Sequence, residues 1–381
     1  MTLLLVLAVA GLAGYSELRF RRLSEALDAQ LATYKRQRWE RPVLRGQPAE
    51  GNAGLDALQA VQGWKGLEPR VRDALAEQLY YGQALTSAQQ ALVQANGALL
   101  DKLRAATQLG WSMTEVQVEL GAAAPVPHYP EVMDAVLLLL GRAQTSVPEE
   151  CVMIAADAMR LGQDLVPGGP LEAASVSMRI TSVATPVLLH CLTAPGGVDP
   201  ITRAARELRT LATHPPPTGG GIELLDLQAE VELRGLAELF PKDSPDSPFR
   251  RLRDRPALFE AWERFETPAR WRADISPAQY PQSLDSWLRE QDSRARSGLV
   301  LVGDASSSVQ GWLYDDMRGQ ALLRALSVGL ATLAERARRQ RMPHEPPGLN
   351  EPALRDPFTG QAFKWRAAQD GNELSVWSVG E

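Results

Sequence analysis

The sequence has little of what catalytic and metal sites are usually made from. Its four histidines, His128, His190, His214 and His344, are scattered and form no HExxH or similar ligand spacing, so no metal is expected. Two cysteines, Cys151 and Cys191, are too few in 381 residues to form a disulfide scaffold. A bridge between them is open if the domain lies outside the cytoplasm, but the plainer expectation is two small core residues. No GxGxxG follows an early strand, no GxSxG elbow occurs and no Walker lysine is present, so no cofactor is expected. Long Lys/Arg blocks are missing away from helix ends, and the net charge is −6, which argues against a nucleic-acid partner. Aromatic residues make up only 6% and β-branched runs are few. Ala and Leu therefore carry most of the 45% apolar content, which predicts helices.

What the chain does have is an apolar run at its start, Thr2 to Tyr15. As a helix it covers about 21 Å of a hydrocarbon layer roughly 30 Å thick. Leu18 and Phe20 extend it, because Arg19, Arg21 and Arg22 have stems long enough to lie along apolar surface. A cleaved signal would want a basic start and a small-residue cleavage site past the apolar run; neither is seen, and Ala8-Val9-Ala10 falls inside the run. Leu23, Leu27, Leu31 and Tyr34 continue at helical spacing, so one helix is expected from the lipid bilayer to about Trp39. Counting Arg19, Arg21, Arg22, Lys35 and Arg36 by the positive-inside rule puts the body in the cytoplasm, but a basic leader upstream would alter that count, and the side stays open.

Breakers divide the remainder. Residues 1–39 read as anchor and stalk and 40–54, rich in Pro and Gly, as a hinge. Residues 55–241 form a body of helical hairpins, a bundle or short α-solenoid, with helices at 55–64, 68–81, 86–108, 130–143, 148–162, 170–192 and 199–214. Its last helix carries Ile222, Leu225, Ala229, Leu233, Leu236 and Phe240 on one face. Residues 242–255 read as a loop. A second helical part, 256–342, ends in a long helix from Ser306 to Arg339 with Leu322, Leu326, Leu330 and Leu333 inward. Gly298 to Gly303, GLVLVG, predicts a short buried strand or buried turn. Residues 343–381 close the chain in a small β-hairpin, packed by Phe363, Trp365 and Trp377.

Few stretches could carry chemistry. In LVLVGDASSS, Asp304 and Ser306 could suggest a hydrolase site, and the favoured reading is that one of them caps the long helix. Gly219-Gly220-Gly221 could receive an anion and equally serves as a helix connection. Glu223, Asp226 and Glu230, and the pair Asp315-Asp316, read as solvated faces. His190 and Cys191 are adjacent and so point to different faces of a helix, which argues against a catalytic pair.

Asp356, Pro357, Gly360, Ser378 and Gly380 lie in a stretch that resembles the closing hairpin of the major pseudopilins of type II secretion. Trp377 stands where that family has Tyr, and the prepilin leader is absent. The chain as a whole is similar to a set of bacterial single-pass membrane-anchored proteins with no assigned activity. These readings lead to a mainly α, membrane-anchored structural or interaction module of the envelope with a protein partner. A hydrolase and an accessory of a secretion or pilus system are the alternatives.

Overall fold

The computed structural model describes residues 2–34, 38–114, 116–117, 120, 127–170, 172–193, 198–217, 300–368 and 373–378, with isolated positions between 224 and 259. It is mainly helical. Helix α1 spans Thr2–Thr33 without a break. Two short strands follow, β1 (Trp39–Glu40) and β2 (Ala49–Asn52), then α2 (Ala53–Val61), α3 (Pro69–Tyr80), α4 (Ser87–Ala95), α5 (Gly97–Ala106) and β3 (Leu109–Ser112). The body continues with α6 (Tyr129–Gln144), α7 (Pro148–Asp164), α8 (Glu172–Thr193) and α9 (Val198–Thr213). A forty-residue helix, α10 (Val300–Arg339), and the strands β4 (Lys364–Ala367) and β5 (Leu374–Trp377) complete it.

The axis of the body is α7. Pro148 opens it with its fixed φ, and Glu149 and Glu150 face the positive end of its dipole. Every residue from Ile154 to Asp164 is buried, because α2, α5, α6, α8 and α9 all pack around it. A helix covered on all sides is a core helix, and its small Ala155, Ala156 and Ala158 let those neighbours approach. On α6 the unbroken run Ala135 to Leu140 is buried in the same core, where each Leu→Ala costs about 2–5 kcal/mol. Helix α10 lies along α8 and α9.

Local chemistry sets several boundaries. Thr86 accepts the Gln89 amide at 3.3 Å while the Gln89 side chain takes the Thr86 amide at 2.8 Å, a reciprocal cap for α4. The single helix expected over 86–108 is interrupted at Asn96-Gly97, a turn dipeptide; the Asn96 amide binds the Leu92 carbonyl at 2.9 Å. Pro186 lies inside the continuous α8.

Three expectations are corrected by the fold. Within residues 40–54, read as a hinge, Glu40 and Ala49–Asn52 belong to a three-stranded sheet ordered β1-β3-β2, in which β1 runs antiparallel and β2 parallel to β3, and Ala53 opens α2. The run GLVLVG, read as a strand or buried turn, is helical from Val300 onward, so Asp304 and Ser306 lie inside α10 and do not cap its start. Four apolar residues fit either period, and continuity with the following helix decides between them. The most buried residues of α10 are Leu323, Ser327, Val328, Leu330, Thr332 and Ala334, since the helix meets two neighbours at once; of the expected face Leu330 is buried, and Leu322, Leu326 and Leu333 are partly buried.

Strands β4 and β5 pair antiparallel with Trp365 opposite Val376. Alternation then sends Trp365 and Val376 toward the core and Trp377 outward, so Trp377 does not share the packing of Phe363 and Trp365. At the other terminus, Leu27 of α1 is fully buried in a second, small cluster with Val116, Leu224, Leu227, Leu233 and Phe259. Phe20, Leu23, Leu31 and Tyr34 flank it. Leu12, Tyr15 and Leu18, about two and a half to four turns before Leu27 on α1, are each more than half exposed. Of the face expected on the last body helix, Leu233 is buried, whereas Ile222, Leu225, Ala229, Leu236 and Phe240 lie outside the described residues, as do the loop at 242–255 and most of 256–299.

Candidate functional site

The largest concentration of buried charge lies where the segment Trp39–Gly46 docks on α7. Asp157, Arg160 and Asp164 recur at three- and four-residue spacing on that helix and so share one face. Opposite them, the Arg41 guanidinium reaches between the sheet and α7. Its Nε lies 2.9 Å from Asp164 Oδ1, and its Nη1 and Nη2 donate to the Thr107 and Ala106 carbonyls at 3.1 and 3.3 Å. Those carbonyls close α5, where the helix dipole favours a cation. Arg45 donates from Nη1 to Glu207 of α9 at 2.7 Å and from Nη2 to Asp157. Arg104 of α5 completes the Asp157 carboxylate at 3.1 Å and reaches Glu150 at 2.5 Å. Arg160 donates to the Pro42 carbonyl at 3.0 Å and lies 5.7 Å from the centre of the Trp39 ring.

The electrostatics follow from burial. Loss of water pushes Asp164 up to about 6, against the pull of Arg41 and Arg160. Burial likewise raises Asp157, opposed by Arg45 and Arg104, and raises Glu207, opposed by Arg45. Arg160 is lowered to about 10 by the same desolvation, with Asp164 working the other way and Arg41 adding to it. The Arg41–Asp164 pair is at ion-pair distance without the alignment of a hydrogen bond, and the second Asp164 oxygen has no hydrogen-bond partner among the described residues. Every carboxylate here faces a guanidinium, Asp157, Asp164 and Glu207 are buried, and the buried Thr107 hydroxyl donates to Asp157 at 3.3 Å. The arrangement holds the chain to itself: it clamps the connection from α1 onto three body helices.

Two smaller clusters repeat that logic. Asp134 of α6, buried, accepts the Leu67 amide at 2.7 Å and Arg72 Nη2 at 2.8 Å, which fixes the turn between α2 and α3. A Cβ on Gly66, at φ 71°, would stand 2.7 Å from that carboxylate. Asp356, fully buried, accepts the Phe358 amide at 3.0 Å, the Thr359 hydroxyl at 2.9 Å and the Ser378 hydroxyl at 2.8 Å. This ties the Asp356–Gly360 turn to the end of β5, joining residues 22 positions apart.

Cys151 and Cys191 are joined in a disulfide with Cα atoms 5.9 Å apart. Both are buried, so the expectation of core residues is corrected only in that they are also bonded. The bridge ties the start of α7 to the end of α8. Helix α8 is long and apolar enough to cross a membrane by length and composition. It also has the marks of a core helix: the bridge, contacts with α6, α7 and α10, and a Ser175 hydroxyl that donates to Asp315 at 2.6 Å.

The candidates read from the sequence do not converge. His128 lies 3.8 Å from Glu131, His214 sits against Thr210 and Thr213, and His190 lies beside Gly82, with no group of three metal-ligating side chains among the described residues. Asp315, read as solvated, serves Ser175, and Asp316 receives Gln320 at 3.1 Å. Glu230 is raised by partial burial, while Glu223, Asp226 and Gly219 to Gly221 lie outside the described residues. Arg41, Arg45, Asp157, Arg160, Asp164 and Glu207 were not singled out by sequence. The available signal was three charges on the same stripe of α7 as its alanines and leucines. Comparison with protein-family models, curated proteins and solved structures finds no match to the chain.

Proposed function

We propose that this chain is a single-pass membrane-anchored interaction module of the bacterial envelope, with its helical body on the oxidising side. The observation that carries the reading is α1. Its first half is an apolar run, its residues Leu12, Tyr15 and Leu18 are left uncovered, and the same unbroken helix delivers Leu27 into protein core. Exposed Leu and Tyr on a terminal helix call for a cover, and a bilayer supplies one.

The arginines after the run favour a cytoplasmic body by the positive-inside rule, and the disulfide favours the opposite side. We give the bridge more weight, because a disulfide between two helices persists only in an oxidising environment. Reporters active only in the cytoplasm or only outside it, fused after Gly380, test this directly. Activity of the external reporter in an alkali-resistant membrane fraction agrees with the proposal. Activity of the cytoplasmic reporter, or loss of the chain from membranes, refutes it.

A second reading, an accessory of a secretion or pilus system, is favoured by one observation. Asp356, Gly360 and Ser378 match the pseudopilin closing hairpin; Ser378 donates to the buried Asp356 carboxylate, and the Gly360 amide donates to the Asp356 main-chain carbonyl at 2.8 Å. Co-purification with a secretion-pilus complex that is lost in Asp356→Ala, with the body still folded, would support it over the first reading.

A further inference from the structure

The body has two ends, and the one away from Asp164 is closed by a covalent bond. There the Cys151–Cys191 bridge joins the first turn of α7 to the last turn of α8. Up to Leu188, helix α8 is held by its own packing: Ile180, Ala184, Val187 and Leu188 are all buried. Its last five residues are not held in that way. Leu189 is 42% exposed, His190 and Thr193 are exposed, and Leu192 is partly buried. From Leu189 to Thr193, Cys191 is the one buried side chain, and it is the bridged one.

The helix is also weakened just before this segment. Pro186 has no amide, so the Ser182 carbonyl loses the donor that an unbroken helix would give it, and the ring crowds that carbonyl. Around the same turn, Thr181 and Thr185 bond back to the Ser177 and Thr181 carbonyls at 2.9 and 2.7 Å, contacts that loosen and bend a helix. Helix ends fray unless something ties them down. The two sides of the bridge therefore differ in what they need from it. On α7 the residues that follow Cys151 include Val152 and Ile154, both fully buried, so that side is fixed by packing. On α8 the segment beyond Leu188 is fixed chiefly by the bond. That segment also has a surface role: Leu189, Leu192 and Thr193 form part of the wall of an open groove of about 470 Å³, lined as well by Ile201, Leu333 and Ala337.

We propose that the bridge is a redox-sensitive latch on the end of α8. With the bond closed, Leu189 to Thr193 is held on α7 and the groove keeps its α8 wall. With the bond opened to two thiols, these residues come away from Leu188 onward and bare Ile201 and Leu333. Opening takes two electrons and two protons, which a dithiol supplies. One of its thiolates attacks a bridge sulfur and releases the other cysteine as a thiolate, which takes up a proton; its second thiol then displaces the bound cysteine as the reductant closes to its own disulfide. Both cysteines are 3% exposed, so the attacking thiolate reaches them when the end of α8 opens. The inference is independent of the membrane reading, because it concerns what the bond does within the body.

The test is hydrogen–deuterium exchange of the full chain in detergent, compared as the bridged form, the form reduced by dithiothreitol and C151S/C191S. Short labelling times are used, at which local opening dominates. The amides of His190 to Thr193 are expected to exchange about tenfold faster or more in both bridge-free forms, while those from Ser175 to Ala184 change less than about threefold. Adding P186A to C151S/C191S restores the missing amide and should slow the end segment about threefold or more. It should also slow reduction of the bridged chain by dithiothreitol, since attack waits on the same opening. Equal protection of the end segment with and without the bond would overturn the inference. So would acceleration spread evenly along α7 and α8, because the bond would then hold the whole body and not one segment. Exchange and reduction both unchanged by P186A would overturn the weak point assigned to that turn. If the serine variant does not fold, the reduced natural chain carries the same comparison.

Discussion

The two ends of the body invert the usual placement of charge and apolar surface. At the Asp164 end, arginines and carboxylates are buried and matched to one another, with Arg41 and Asp164 fully enclosed. At the Cys151 end, Tyr80, Tyr81, Val147 and Leu189 stand in solvent. Buried paired charge is costly to assemble and rarely adds stability over a well-packed apolar core, but it specifies one arrangement of the groups it joins. The first end therefore fixes the connection to α1 in a single place. The second end is held rigid by a covalent bond and leaves apolar area uncovered, which is what a surface for another molecule requires.

Breaking a partner of the buried network should give the largest effect. Arg41→Ala leaves Asp164 enclosed without its cation and is expected to cost about 3–5 kcal/mol in denaturant unfolding, whereas the double change Arg41→Met with Asp164→Leu should recover most of that. If the single and double variants lose equally, the network is not what holds the segment. Next comes the bridge. Cys151→Ser with Cys191→Ser opens a loop of 40 residues and should cost up to about 4 kcal/mol on the chain-entropy account, while leaving the contacts of Arg41 and Arg45 at the Asp164 end intact by hydrogen exchange.

Asp356→Ala removes the acceptor for three donors and should lose about 1–3 kcal/mol, confined to the hairpin and the adjoining part of α10. The pH response of the first end is smaller per unit and has a definite sign. Asp164 rises from an ordinary value of about 4 to about 6 in the folded state. The folded chain then keeps a proton that the unfolded chain has lost, so stability should fall as pH rises between those values and level off above them. The slope is at most about 1.4 kcal/mol per pH unit for this group. Asp164→Asn should flatten it, leaving the same-signed contributions of Asp157 and Glu207. At the second end, Leu189→Glu should change stability by no more than about 0.5 kcal/mol, because its side chain already meets water.

The difference between the ends also explains what could be read from the sequence. Helices α3, α6, α7, α8 and α9 were legible because Pro69, Pro130, Pro148, Pro170 and Pro200 fall in or beside their first turns and the apolar spacing runs between them. Such signals are local. The sheet was not legible: β1, β2 and β3 read WE, AEGN and LGWS, strands of two to four residues whose pairing depends on a segment about 60–70 residues away. Arg41 and Arg45 read as polar residues of a hinge because their partners, Asp157, Asp164 and Glu207, lie more than 100 positions on. The groove was equally hidden, since Leu189, Ile201 and Leu333 become neighbours only when the ends of α8 and α10 meet the start of α9. The stalk spacing of Leu23, Leu27, Leu31 and Tyr34 was visible, and its partners around Leu224 and Leu233 are again distant in sequence.

The central claim is that α1 anchors the chain in a membrane and that the body faces an oxidising space. The most direct measurement is alkylation of the protein in membranes from cells quenched with acid, with and without prior reduction, followed by counting the labelled cysteines. The account predicts that the chain stays in the membrane pellet and that Cys151 and Cys191 take up label only after reduction. Two thiols labelled without reductant, or a chain recovered in the soluble fraction, would contradict it.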